Sequence, residues 1–275
     1  MQTSPTTVQS LRRVFYDSFV ARDLAEPLAS FDVTADVEEV RRFMVSRPLT
    51  VIGIRREGVV AGFIEQDNVT DYPLAEQMVA LSSAAIVTTT TPFQDVVRSL
   101  NETRFVLVST LGQPVGVIVR SDLEKPPMRM WLFGMVTLFE MILTRIIDGS
   151  LANNVWCESL SDQRIAKAQQ LQAERTRRKQ AVDLIDCLQL SDKGQIFART
   201  QELRLRHWNR SRNQIEKSIK GIESLRNNLA HSQSFTVENW DVIVQLTETL
   251  DRLLEVPAEF VAQDSLKPYT DGDSV

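Results

Sequence analysis

Arg226, Asn227 and His231 are the residues whose types and spacing best suit chemistry in this chain. They stand in the run Leu225-Arg226-Asn227-Asn228-Leu229-Ala230-His231-Ser232, which holds one of the chain's 2 histidines. On a helix Asn227 and His231 share a face at i, i+4, while Arg226 lies about 140° round from His231. An imidazole moves protons near neutral pH, a guanidinium grips phosphate oxygens with a planar fork, and an amide orients both. The trio suits proton transfer at a phosphodiester. It also suits a solvated helix end, where the helix dipole favours histidine.

The other histidine lies in Arg204-Leu205-Arg206-His207-Trp208. Arg204, Arg206 and His207 are candidate RNA contacts; the alternative is a packed Trp208 beside solvated charges. Residues 163–231 hold 15 Lys and Arg against 7 Asp and Glu, whereas the rest of the chain holds 16 against 29. Positive charge gathered around Arg226 and His231 is what a polyanion-binding surface needs, and equally what an exposed long helix displays. Asp186 is a candidate hydrogen-bond partner for Arg226 or His231, with a surface carboxylate as the alternative.

Cys157 and Cys187 have neither metal-ligand spacing nor a disulfide framework, and 2 histidines make a structural zinc site unexpected. No metal residues are assigned. With 275 residues, 43% hydrophobic and 24% charged, the composition is that of a soluble globular protein of one large or two ordinary domains. Residues 1–20 lack the apolar core of a signal peptide. The apolar run Trp131 to Ile147 is interrupted by Glu140 and Arg145 and reads as a buried or dimer-forming helix rather than a membrane span. A cytoplasmic location without membrane partners is expected.

From the start, an entry helix is expected over residues 8–22 (Val8, Leu11, Phe15, Phe19). A unit of strand, helix, strand, Gly turn and strand then occurs twice, with Gly58 and Gly62 standing 54 positions before Gly112 and Gly116. The pattern resembles a tandem pair of CBS (cystathionine-β-synthase) domains, with repeats at about 20–70 and 82–125. The resemblance implies a flat α/β module whose clefts hold adenosine nucleotides such as ATP or AMP as regulatory ligands; no cofactor is required. The family's ribose-binding element appears in the second repeat as Gly116-Val117-Ile118-Val119-Arg120-Ser121-Asp122. Asp122 would bond the ribose hydroxyls and Arg120 a phosphate, although Val119 stands where a hydroxyl is expected. The first repeat reads Gly62-Phe63-Ile64-Glu65-Gln66-Asp67-Asn68, with Asn68 in place of the aspartate.

Pro126-Pro127 is expected to end this module. A buried connecting or dimerising helix should follow over 128–158, then a bundle of about four helices over 159–258 and a flexible tail over 259–275. Within the bundle a helix is expected from Ile165 to Leu190, a turn at Leu190–Gly194, a helix from Ile196 to Trp208 and another from Asn213 to Ala230. A last helix, Val237 to Leu254, should begin with a staple and cap at Phe235-Thr236. Such a bundle ending in Arg226-Asn227-x-x-x-His231 resembles a HEPN domain, a helical module that in many members cuts RNA without metal. The fold class expected is α+β: an N-terminal tandem CBS α/β module followed by a C-terminal all-α HEPN-like helix bundle.

The HEPN resemblance implies a homodimer in which two Arg-His sets share a cleft, with RNA as substrate. The expected function is a nucleotide-responsive or CBS-dimerised, metal-independent endoribonuclease. A non-catalytic regulatory scaffold, whose bundle binds RNA or a partner protein, is the alternative. A toxin-like bundle neutralised by a separate partner chain is a third.

Overall fold

The computed structural model describes Ser10, residues 13–231 and residues 236–255. It divides into two compact units: residues 13–133 with 232–244, and residues 134–231 with the remainder of the last helix. The first is α/β and the second helical.

The α/β unit contains β1 (Glu26–Pro27), β2 (Ser30–Asp32), α1 (Val37–Ser46), β3 (Val51–Arg56), β4 (Val59–Glu65), α2 (Leu74–Gln77) and β5 (Val79–Ala80). It continues with β6 (Ile86–Thr88), α3 (Phe93–Glu102), β7 (Phe105–Thr110) and β8 (Gln113–Val119). The strands form two 4-stranded sheets, ordered β1-β8-β7-β6 and β2-β3-β4-β5. The repeat read from the glycines is a repeat of pairing. β2 lies parallel to β3, which is antiparallel to β4; β6, β7 and β8 do the same. Both hairpins close on two residues of positive φ, Glu57-Gly58 at 56° and 84° and Leu111-Gly112 at 50° and 79°. That is the two-residue geometry whose twist matches the flanking strands.

Gly62 and Gly116 serve another purpose. A Cβ would lie 2.5 Å from the Val79 carbonyl oxygen at Gly62 and 3.1 Å from that of Glu26 at Gly116. Bare backbone there lets β5 pair with β4 and lets β1 pair with β8, far from it in sequence. β3 is buried along Val51-Ile52-Gly53-Ile54 because both its faces are covered. Ile52 and Ile54 pack with Val40 and Met44 of α1 and Leu74 of α2, while Val51 and Phe63 meet Phe105 and Leu107 of the other sheet. The Asp36 carboxylate caps α1, accepting from the Glu39 amide at 3.3 Å.

The entry helix ends earlier than expected: residues 13–17 are helical, Val20 bridges to Pro92 and Ala21–Asp23 is a 3-10 turn. Val8 and Leu11 lie outside the described residues. Pro126 and Pro127 begin α4 (Pro126–Ser150) rather than separating two elements. The first turn of a helix has amides without intrahelical partners, so proline is at home there. α4 is the one helix among the described residues long and apolar enough to cross a membrane by length and composition. It packs as a core helix, with Leu138, Phe139, Leu143 and Ile147 fully buried in the helical unit.

The helical unit departs from expectation between residues 178 and 208. α5 (Asp162–Arg177) stops instead of reaching Leu190, Lys179 turns to φ 59°, and Leu184–Cys187 forms a 3-10 turn. Leu190-Ser191-Asp192-Lys193-Gly194, expected as a turn, is the first half of α6 (Leu190–Arg199). A Cβ on Gly194 would come within 2.6 Å of the Ile219 side chain, so this glycine sets a close helix approach rather than a bend. α7 (Gln201–Leu203) runs into a π-helical turn, Arg204–Trp208, closed by Asn209 at φ 48°. α8 (Arg212–Ala230) opens on a capping box: Ser211 Oγ accepts from the Gln214 amide at 3.4 Å and Gln214 Oε1 accepts from the Ser211 amide at 2.9 Å. α9 is Thr236–Glu255. The expected staple and cap at Phe235-Thr236 and the tail over 259–275 lie outside the described residues and side chains.

Candidate active site

α8 is placed by its apolar face. Ile215, Ile219, Ile222 and Leu225 recur at helical spacing and are buried, with Ile219 seated against Gly194 of α6. The opposite face must then meet solvent. Arg226 and Asn227 are exposed in the last turn, and exposed His231 is the C-cap, its amide donating to the Asn227 carbonyl at 3.0 Å. None of the three side chains bonds another described residue. The Asp186 carboxylate accepts from the Asp183 amide at 3.3 Å, closing its own 3-10 turn.

The structure separates the three candidate RNA contacts of the basic-aromatic run. Arg206 is exposed, Arg204 is half-buried with an enclosed Nε, and His207 is only 6% exposed. The His207 ring centroid lies 6.3 Å from that of Phe197, and Trp208 stands edge-on to Phe139 at 5.7 Å and to Phe197 at 5.6 Å. His207 and Trp208 are thus core side chains, which leaves Arg206 to face solvent.

Burial pushes the His207 pKa down, nearby Arg206 pushes it further, and Glu202 opposes both. Neither ring nitrogen has a hydrogen-bond partner among the described residues. A histidine with a depressed folded-state pKa binds fewer protons folded than unfolded, so stability rises with pH. Its contribution is complete above the unfolded value, about 6.5, and is lost as pH falls below it. The urea midpoint of the protein should therefore drop between about pH 7.5 and about pH 5.5, and His207→Leu should flatten that drop.

At the end of β8 both nucleotide candidates have intramolecular partners. Arg120 Nε and Nη2 donate to the Leu100 carbonyl at 3.1 and 2.9 Å, holding the last turn of α3. The same guanidinium lies 4.6 Å from the ring centroid of Trp240, whose indole donates to Asn101 Oδ1 at 3.1 Å. Asp122 is 9% exposed; its Oδ2 accepts from the Val119 amide at 2.8 Å and its Oδ1 pairs with Lys125 at 2.9 Å. Lys125 also pairs with Glu26, and these hydrogen bonds raise its pKa against the desolvation that opposes them. Arg104 of the second repeat reaches Asp67 of the first at 2.7 Å and Glu65 at 3.6 Å. The carboxylates at both repeat ends thus have cationic partners within the chain.

Sequence reasoning missed two ion pairs of the helical unit. Lys193 Nζ meets Glu140 Oε1 at 3.0 Å with the lysine side chain 5% exposed, and Arg164 pairs with Asp192, 6% exposed. The signal was present but unreadable: adjacent Asp192 and Lys193 before a glycine have turn composition, and only packing shows them in a helix. Cys187 is buried and Cys157 half-buried; burial raises both thiol pKa values, so neither is an activated nucleophile. Among the described residues no group of three His, Cys, Asp or Glu is placed to hold a metal.

Comparison with known proteins gives structural likeness alone. No family model matches the chain, and no curated protein matches it. Among solved structures, an uncharacterized conserved protein from Pyrococcus horikoshii is 20% identical, covering 39% of this chain and 90% of its own at a TM-score of 0.36. The CBS-pair protein CBSX2 from Arabidopsis thaliana, in complex with AMP, is 15% identical over 38% of this chain and 92% of its own, with a TM-score of 0.34. The CBS domain of a bacterial CNNM/CorC family Mg2+ transporter, in complex with ATP, is 13% identical over 42% of this chain and 91% of its own, also at 0.34.

Proposed function

We propose that the chain is a metal-independent RNA endonuclease whose reaction is carried by Arg226, Asn227 and His231, with the α/β repeat pair as its nucleotide-responsive or dimerising module. The observation that supports this is the contrast in commitment. Arg120, Asp122 and His207 are tied up or buried, whereas Arg226, Asn227 and His231 are exposed together at one helix end with no described partner.

In the reaction the ribose 2′-oxygen attacks the adjacent phosphorus as the bond to the 5′-oxygen breaks. The 2′-hydroxyl proton must leave and the 5′-oxygen must gain one; His231 serves this transfer. Arg226 steadies the non-bridging oxygens, where negative charge gathers, and Asn227 orients the backbone for in-line attack. The products are a cyclic 2′,3′-phosphate and a free 5′-hydroxyl. Because Arg226 and His231 point about 140° apart on one helix, a second copy placing its own pair in the cleft completes the site.

A second reading is favoured by the pairing of Asp122 with Lys125. A repeat pair whose ribose position is already filled by Lys125 suits a scaffold, with the bundle binding RNA or protein without cutting. Incubating the full chain with single-stranded RNA in EDTA, with and without ATP or AMP, separates the two. Cleavage supports the nuclease, and a nucleotide effect on its rate supports a sensing repeat pair. Binding without cleavage in every mixture supports the scaffold.

A further inference from the structure

Positions 213, 217, 220, 224, 227 and 231 follow one another at intervals of four and three, so they share one face of α8. They read Asn213, Lys217, Lys220, Ser224, Asn227 and His231, and every one is exposed. From Lys217 to His231 the row spans about 21 Å at the helical rise. It contains no carboxylate. Of the acids flanking it, Glu216 bonds Arg212 at 2.8 Å and also feels the charge of Lys220, which together lower its pKa, and Glu223 is half-buried. Lys217 and Lys220 form no ion pair with another described residue. The face therefore carries two ammonium groups and neutral donors, and ends on the proposed proton-transfer residue.

We infer that this row is the track on which the backbone of single-stranded RNA lies, with Lys217 and Lys220 binding phosphates upstream of the scissile one. The inference rests on the nuclease reading above. Charge complementarity selects a polyanion as the occupant, and a flexible single strand can follow a straight helix edge. The lysines supply affinity and position without sequence preference, since ammonium groups meet phosphates and not base edges. They are binding residues and take no part in proton transfer.

The test is the affinity of the full chain for a fluorescent 2′-O-methyl oligouridylate, which has no 2′-hydroxyl to react, measured across a range of salt. Wild type is compared with Lys217→Glu/Lys220→Glu, with the milder Lys217→Gln/Lys220→Gln, and with a control of equal charge change, Arg55→Glu/Arg56→Glu on β3. The stripe variants should bind at least about tenfold more weakly, with a salt slope smaller by about 1.4, or about 0.7 for each phosphate that a lysine no longer neutralises. The control should bind as wild type does. Equal weakening by the control would reduce the stripe to a net-charge effect and overturn the inference. Unchanged affinity in the stripe variants, with RNA still bound and cut, would overturn the track and leave the nuclease reading standing. A wild type that binds no oligonucleotide would overturn both.

Discussion

His231→Ala should lower the rate of RNA cleavage by about 10²- to 10⁴-fold, the range that a positioned proton-transfer group supplies. Arg226→Ala should lower it by about 10²- to 10³-fold, as expected where a donor to developing negative charge is removed. Both residues are exposed at the end of α8 and neither side chain bonds a described residue, so stability should stay within about 0.5 kcal/mol of wild type. Affinity for the 2′-O-methyl probe should persist in His231→Ala, because Lys217 and Lys220 remain. The combination separates a chemical role from a structural one. A folded variant that binds and does not cut assigns chemistry to His231. A variant that cuts like wild type returns the imidazole to the role of an ordinary helix cap.

Glu140→Ala should destabilise the helical unit by about 3 kcal/mol. The Lys193 side chain is 5% exposed and its ammonium meets Glu140 Oε1 at 3.0 Å. Removing the carboxylate leaves a buried charge without its counter-ion. Glu140 itself is 26% exposed, which places the expected cost at the lower end for buried pairs. The double substitution Glu140→Met/Lys193→Met should recover most of the loss, because two apolar groups of similar length leave no charge to solvate. Urea unfolding of the three variants measures this. A Glu140→Ala protein as stable as wild type would mean that Lys193 reaches water in solution and that the pair holds nothing together.

How far residue types can be read depends on how local their reasons are. The 54-residue repeat was legible because a tight hairpin needs positive φ at Gly58 and Gly112, a demand met within two residues. The inward face of α8 was legible because Ile215, Ile219, Ile222 and Leu225 announce it by spacing alone. Gly62 and Gly116 were read as the start of a ligand element. They are also sites of close strand approach, and the strands that need them lie well before or after in sequence.

Gly194 misled for the same reason, since its partner Ile219 is on another helix. His207 looked like a surface residue because arginines surround it in sequence, yet the π-helical turn carries it and Trp208 inward. Arg120 looked free for a phosphate, and its partner Trp240 stands on the last helix, beyond any local pattern. The exposed trio of Arg226, Asn227 and His231 needed only helix periodicity to be placed. The chemistry proposed for it calls on a second molecule, and a single sequence carries no periodicity for that.

The most direct measurement is the chemistry of the ends produced when the full chain meets single-stranded RNA in excess EDTA. Cleavage leaving cyclic 2′,3′-phosphates and free 5′-hydroxyls is the expected result, since the nucleophile is the neighbouring 2′-oxygen. Cleavage that requires a divalent metal, or that leaves 5′-phosphates, would contradict the assignment of Arg226, Asn227 and His231.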